Sequence, residues 1–191
     1  MATSGVKSKA HLGFLTVIQD TEYGLLGGYL ILNQAGRPQE FHCTVPIRPS
    51  RAQQILYGPT LEPYLFGEQI GQTLVAKSKS KPGLVCTDRE PALAVRDHID
   101  LPVALVLPEE TPDEAVAHCS SEALMRLDGP HSPEHLHRFR LGRNHLAVSL
   151  NALKDRDVIL ERLAELGESF NLAEPFGRIR EAIEEARRGG P

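Results

Sequence analysis

The stretch of residues 61–88 constrains the fold of this chain most, because it predicts a long helix, a lysine-rich turn and a short apolar strand. Apolar residues recur at helical spacing through residues 64–75, which predicts a helix with one broad apolar face centred on Ile70 and Leu74. Gly67 and Gly71 lie on that face and carry no side chain, so we expect the helix to lie close against a sheet. Residues 84–87 form an uninterrupted apolar run, which predicts a buried strand.

Three further strands are predicted before this helix, at residues 11–18, 28–33 and 40–47. The second connection contains Gly36 at the position of a tight hairpin turn, and we expect the glycine-rich segment 21–28 to turn as well. Three strands joined in this way form an antiparallel meander. After the long helix, we expect the strand at 84–87 to lie parallel to the first strand. Together with a short helix at 90–99 and a strand at 101–107, it predicts a right-handed crossover unit.

The predicted fold class is therefore α+β, with one mixed sheet made from a three-strand antiparallel meander and two crossover strands. We expect residues 1–107 to form this core and residues 108–137 to form a peripheral polar connection. Residues 138–191 are expected to contribute a further hairpin or strand and two helices, at 155–166 and 174–188, that pack on the core.

The composition of the chain argues against several classes of protein. A net charge of -4 argues against a general nucleic-acid coat protein, and the absence of Trp argues against an aromatic platform for single strands. The sequence has no apolar run long enough to span a membrane, and its first residues do not resemble a secretory signal. The three cysteines lack paired spacing, so we expect reduced thiols and a cytoplasmic location.

Three carboxylates stand at informative points in the predicted order of elements. Asp20 follows the first strand, Glu68 lies at the edge of the apolar face of the long helix, and Asp88 follows the strand at 84–87. The carboxyl ends of strands are where sheets of this kind place their sites. The alternative interpretation is that these are ordinary surface or capping carboxylates, since carboxylates are rarely buried.

The order of elements resembles that of the ribonuclease H-like superfamily over about the first 107 residues. The resemblance reaches particular residues in GFLTVIQDTEYGLLGGYLIL, where a first-strand carboxylate precedes a glycine-rich segment and a second strand, and in LVCTD, where a later strand ends on an aspartate. It implies that Asp20, Glu68 and Asp88 are catalytic, metal-binding carboxylates. They would hold Mg²⁺ or Mn²⁺ for cleavage of phosphodiesters, with nucleic acid as the partner.

A second function is compatible with the same fold. The family's usual Asp-Gly pair is replaced here by Asp20-Thr21, and the net charge is acidic. A non-catalytic module that binds a protein partner, or a subunit of a larger assembly, would show these features.

Histidine and cysteine residues offer two weaker alternatives, a zinc site and a cysteine nucleophile. On a strand, His42 and Cys43 would point to opposite faces and could not bind one ion together, and Cys86 lies in a predicted buried strand. The remaining residues of these types show none of the paired spacings of a zinc site; they are His118, Cys119, His131, His135 and His137.

Overall fold

A computed structural model describes residues 11–108, 135–164 and 170–189. These residues form a mixed seven-stranded sheet with the order β3-β2-β1-β4-β5-β7-β6. The strands are β1 His11–Asp20, β2 Gly24–Leu32, β3 Pro38–Cys43, β4 Pro82–Thr87, β5 Val103–Leu107, β6 Leu136–Leu141 and β7 Asn144–Ser149.

The predicted strand pairing is confirmed. β1 pairs antiparallel with β2 and β2 with β3, while β4 lies parallel to β1 on its other side and β5 lies parallel to β4. This α+β arrangement has the ribonuclease H-like strand order. The predicted C-terminal hairpin is also present, since β7 pairs antiparallel with β5 and β6 forms the outer edge beyond it.

The glycine-rich segment after β1 differs from the prediction, because most of it is strand. The turn is confined to residues 21–23, and β2 begins at Gly24. A Cβ atom on Gly27 would lie 2.2 Å from Ile70, and one on Gly28 would lie 2.3 Å from Ile179. These two glycines therefore make room for helices on both faces of the sheet and do not form a turn.

Helix α1 spans Arg51–Tyr57 and begins with a reciprocal capping box between Ser50 and Gln53. The long helix, α2, is composite: Leu61–Pro63 and Thr73–Lys77 are α-helical, and Tyr64–Gln72 between them is π-helical. Thr60 precedes α2 but does not cap it, because its hydroxyl donates to the Tyr57 carbonyl in the preceding turn.

The later helices lie close to their predicted positions. The predicted helix after β4 is a 3-10 helix, Glu90–His98, and the two C-terminal helices are α3 Leu153–Leu163 and α4 Glu174–Arg188. Most of the predicted polar connection, at residues 109–134, lies outside the described residues. Within the described part of the chain, no helix is long and apolar enough to span a membrane.

The sheet separates two apolar layers. On one face, α3 and α4 pack through Ile159, Phe176 and Ile179 onto a layer that includes Phe14 and Cys86. On the other face lie α2 and the 3-10 helix, which pack onto a layer that includes these strand residues: Leu15, Val17, Val85 and Leu105. The predicted core positions Ile70 and Leu74 are confirmed, with 0% and 1% of their surface exposed.

The two glycines of α2 permit a close approach, but the partner of Gly67 differs from the prediction. A Cβ atom at Gly67 would lie 2.7 Å from backbone atoms of Ala94 and Val95 in the 3-10 helix, and not against the sheet. A Cβ atom at Gly71 would meet Val95 at 2.9 Å and Leu15 of β1 at 3.1 Å. The helix therefore contacts both the sheet and its neighbouring helix through these two positions.

Candidate functional site

The carboxyl ends of β1 and β4 bring two of the predicted carboxylates to one face of the sheet. Leu15 of β1 pairs with Thr87 of β4, so Asp88 follows at the level of Thr16. Side chains alternate between faces along a strand. Phe14 and Cys86 face α3 and α4. Asp20 and Asp88 follow them at an even number of residues along their strands, so both carboxylates lie on that same face.

Asp20 is the last residue of β1, and both of its carboxylate oxygens are engaged. Its Oδ1 accepts hydrogen bonds from the backbone N–H groups of Glu22 and Tyr23, both at 2.8 Å, which closes the turn into β2. Its Oδ2 accepts a hydrogen bond of 2.9 Å from Arg187 of α4. The backbone donors of Tyr23 and Glu22, together with Arg187, hold the pKa of Asp20 below its usual value.

The Arg187 guanidinium has a second contact, because it lies 4.3 Å from the centre of the Tyr23 ring. Stacking of this kind suits a planar, delocalised cation. Asp20 and Tyr23 thus hold the last turns of α4 against the end of β1.

Asp88 also binds an arginine of α4. Its Oδ2 accepts a hydrogen bond from Arg180, and 15% of its side chain is exposed. Its Oδ1 is buried without a hydrogen-bond partner, as is the hydroxyl of Thr16, which is level with it on β1. Buried polar atoms of this kind are uncommon in folded proteins, so this corner of the sheet has unused hydrogen-bonding capacity.

The structure does not bring Glu68 to these two carboxylates. It is exposed on α2, and α2 covers the opposite face of the sheet from α4. Near it lies Tyr57, whose ring stacks on that of Tyr64 with the centroids 4.3 Å apart. A hydrogen bond with Tyr64, burial and the nearby Glu68 charge raise the pKa of Tyr57.

The side chains present do not fit the Mg²⁺ or Mn²⁺ site that the resemblance implies. Mg²⁺ and Mn²⁺ require several oxygen ligands on one site. Here Asp20 and Asp88 each carry an arginine partner, and Glu68 lies in the other layer. Among the residues that the structure describes, no group of three or more His, Cys, Asp or Glu residues is placed to hold a metal ion. The assignment of Asp20, Glu68 and Asp88 as catalytic metal ligands therefore stays a prediction.

A groove of about 910 Å³ opens beside Asp20, between the end of β1, the segment after β3 and the last turns of α4. Its apolar wall includes Ile18, Leu26 and Ile183, and Val45 at its rim is 79% exposed. Its charged wall consists of Asp20, Arg180, Glu184, Arg187 and Arg188. Since Arg188 pairs with Glu184 and Arg187 with Asp20, much of this charge is already balanced inside the protein.

The arginines of α4 are the site residues that sequence reasoning missed. Arg180 and Arg187 are visible in the sequence as part of the polar face of a C-terminal helix, which is an ordinary place for basic residues. Nothing in the local pattern indicates that they reach carboxylates 92 and 167 residues earlier in the chain.

Glu40 of β3 is partly buried and makes a second set of contacts that the sequence did not indicate. Its Oε1 accepts from the backbone N–H and hydroxyl of Ser80, at 2.6 and 2.7 Å, and its Oε2 accepts from the Lys79 N–H at 2.9 Å. His42 adds a contact of 3.1 Å. These donors, led by the Ser80 side chain, lower the pKa of Glu40 to about 2. The lysine-rich turn is thereby fastened to the edge of the sheet.

The depressed pKa of Glu40 predicts a specific loss of stability in acid. Its pKa in the folded protein lies below the ordinary value of 4.5, so the stabilisation is complete above about pH 4.5 and is lost as the pH falls towards about 2. We expect Glu40→Gln to lower the urea midpoint of unfolding near neutral pH, and the difference from the wild type to shrink as the pH is lowered through this window. Glu161→Gln, at an exposed position on α3, is the matched control. A Glu40→Gln deficit that is the same at every pH would contradict this assignment.

The histidine and cysteine alternatives receive no support from the described residues. His42 contacts Glu40, and burial raises the pKa of the Cys86 thiol to about 12, which makes it a poor nucleophile. His118, Cys119 and His131 lie outside the described residues.

No protein-family model matches this chain, and no curated protein is significantly similar to it. Among solved structures, it is similar to human ENDOV, at 14% identity and a TM-score of 0.48 over 93% of this chain and 86% of that chain. Endonuclease V of Ciona intestinalis, solved with DNA containing an inosine, aligns at 12% identity and a TM-score of 0.44 over 94% of this chain and 87% of that chain. Argonaute of Marinitoga piezophila, solved with a guide RNA, aligns at 11% identity and a TM-score of 0.33 over 87% of this chain and 28% of that chain. The fold assignment rests on the order and direction of the strands.

Proposed function

We propose that this chain is a non-catalytic binding module of ribonuclease H-like fold. One observation carries the proposal: Asp20 and Asp88, the two carboxylates at the carboxyl ends of β1 and β4, are each paired with an arginine of α4. In a metal-dependent nuclease, carboxylates at this position would instead converge on a cation. Here the guanidinium groups supply the positive charge, and they fasten the last helix across the end of the sheet.

The chemistry of arginine supports a permanent role for these pairs. A guanidinium group stays charged at any physiological pH, and its planar fork matches a carboxylate. A divalent cation would have to displace the guanidinium group and lose much of its own hydration shell. In exchange for those water ligands it would gain two carboxylate ligands. The groove beside α4 then serves as a binding surface for a partner, and no bond is broken there.

A divalent-metal nuclease is the competing candidate, and one observation favours it. The Oδ1 atom of Asp88 is buried without a partner beside the unpartnered Thr16 hydroxyl, and such an oxygen is available to a ligand that enters from solution. This candidate requires Asp88 to exchange Arg180 for a cation.

A cleavage assay distinguishes the two candidates. We expect the wild-type protein to leave single-stranded and duplex DNA and RNA intact in the presence of Mg²⁺ or Mn²⁺. Asp88→Asn is the control, because it is nearly isosteric with the wild type and removes the charge. Cleavage by the wild type that depends on the metal and disappears in Asp88→Asn would overturn the proposal and establish the nuclease.

A further inference from the structure

Strand β3 leaves one edge of the sheet exposed. It is the last strand in the order of the sheet, and in the described part of the chain it pairs only with β2. Phe41 and Cys43 of β3 are exposed, and Val45 just beyond it has 79% of its surface exposed. An open edge of this kind offers backbone groups to another strand. We propose that two copies of this chain associate by pairing their β3 strands antiparallel, across a twofold axis at His42.

The backbone of β3 presents hydrogen-bonding groups away from the sheet at two positions. The Thr44 N–H donates to the Gly27 carbonyl at 3.0 Å, and His42, two residues earlier, also pairs with β2. Hydrogen-bonded and non-hydrogen-bonded pairs alternate along an antiparallel ladder. The N–H and C=O groups of Phe41 and Cys43 therefore point outward, where a further strand can reach them.

The edge is symmetric about His42, which makes a second copy a suitable partner. In a twofold pairing centred on His42, Phe41 of each copy lies opposite Cys43 of the other, so every outward group of both residues is paired. Pro38 lies four residues before His42 and Pro46 four residues after it, so the two prolines meet at each end of the pairing. Proline has no N–H to donate, and the ladder therefore ends at the same point on both sides.

The side chains along this edge tolerate a second copy. Phe41, Cys43 and Val45 lie on the side of the sheet that carries α4, and none of them is charged. Like charges placed opposite each other destabilise paired strands, so an uncharged row suits self-association in a chain with a net charge of -4. On the other side, Glu40 and His42 contact each other within one copy at 3.1 Å, and the pairing does not depend on them.

The second copy would also extend the groove beside α4. Cys43 and Val45 line that groove, and in this register the Phe41 side chain of the second copy lies beside Cys43. Association of the two edges therefore adds an aromatic ring to the rim of each groove. A contact of this type, in which the same patch serves both copies, closes as a dimer.

Sedimentation velocity of the full chain across the micromolar range measures the association. We expect a reversible equilibrium between monomer and dimer in the wild type. Phe41→Lys/Val45→Lys places cations along the edge of both copies and should raise the dimer dissociation constant about tenfold or more. Ile55→Lys/Leu56→Lys is the matched control, because both positions are exposed and apolar but lie on α1, at 67% and 82% exposure. Its dissociation constant should equal that of the wild type, and circular dichroism verifies the fold of each variant.

Disulfide cross-linking tests the register of the two strands. In the proposed pairing, position 42 lies opposite itself in a non-hydrogen-bonded pair, with the Cα atoms about 4.5 Å apart, which is within the range of a disulfide. Cys43 is offset from its equivalent by two residues, or about 6.8 Å along the strand. In a Cys119→Ser background, we expect His42→Cys/Cys43→Ser to form a covalent dimer under mild oxidation, whereas the protein that keeps Cys43 and His42 should remain unlinked.

Three results would overturn the inference. The first is a wild type that is monomeric at every concentration, and the second is equal weakening of the dimer by the two double-lysine variants. The third is a dimer that cross-links through Cys43 but not through position 42, which would assign the contact to another register. Selective weakening by the β3 variant, together with cross-linking at position 42, would support it.

Discussion

Leu74→Ala is expected to lower the free energy of unfolding by about 2–5 kcal/mol, because it removes a fully buried side chain and leaves a cavity. Leu74 is 1% exposed and packs beside Gly27 of β2, where its Cδ1 would lie 3.0 Å from a Cβ atom on the glycine. It therefore fills the space between α2 and the sheet that the missing glycine side chain leaves open. Urea denaturation followed by circular dichroism measures the effect.

Thr73→Ala is the matched control for this substitution. Thr73 is exposed on the same turn of α2, and alanine there creates no cavity and has a higher helix propensity. We expect its midpoint to equal or exceed that of the wild type. A midpoint for Leu74→Ala that is also unchanged would show that this face of α2 does not carry the core.

Gly67→Ala should destabilise the protein although alanine is the better helix former. A Cβ atom at position 67 would lie 2.7 Å from the backbone of Ala94 and Val95, and neither backbone segment can move aside like the end of a flexible side chain. The gain in helix propensity is about 1 kcal/mol, whereas overpacking of this kind typically costs about 1–3 kcal/mol and sometimes more. The expected net effect is a lower melting temperature and a lower urea midpoint.

Gly177→Ala, the same substitution at another helical glycine, is expected to have the opposite effect on stability. Gly177 lies in α4, and a Cβ atom there would meet no other atom within 4 Å. The same substitution should therefore stabilise the protein by about 0.4–1 kcal/mol, since it reduces the freedom of the unfolded chain. A stabilising Gly67→Ala would contradict the close contact between α2 and the 3-10 helix.

Local patterns were sufficient for most of the sheet. The apolar runs at 11–18 and 84–87 predicted two strands, and the turn at Gly36 predicted a hairpin of the meander, because these features depend on neighbouring residues and on short connections. The helical spacing of Ile70 and Leu74 likewise predicted their burial. Each of these signals is contained within a few residues.

The site could not be predicted to the same extent, because its contacts join distant parts of the chain. Arg180 and Arg187 reach Asp88 and Asp20 only after α4 has packed on the sheet. The face on which a helix packs also decides the neighbours of Glu68, and element order alone does not specify that face. Similarly, Gly27 and Gly28 indicated a turn by composition, whereas their role is to accept helices on the two faces of β2.

The melting temperature of the wild-type protein, with and without millimolar Mg²⁺ or Mn²⁺, shows whether the carboxylates of Asp20 and Asp88 bind a cation. A ligand that binds only the folded state raises the melting temperature, and the rise grows with the ratio of ligand concentration to its dissociation constant. Arg180 and Arg187 already neutralise Asp88 and Asp20. We therefore predict that adding the metal leaves the melting curve of the wild type unchanged, and that it likewise leaves the curve of Asp88→Asn unchanged. A rise that grows with metal concentration in the wild type and is absent in Asp88→Asn would show that a cation displaces Arg180, and would contradict this account.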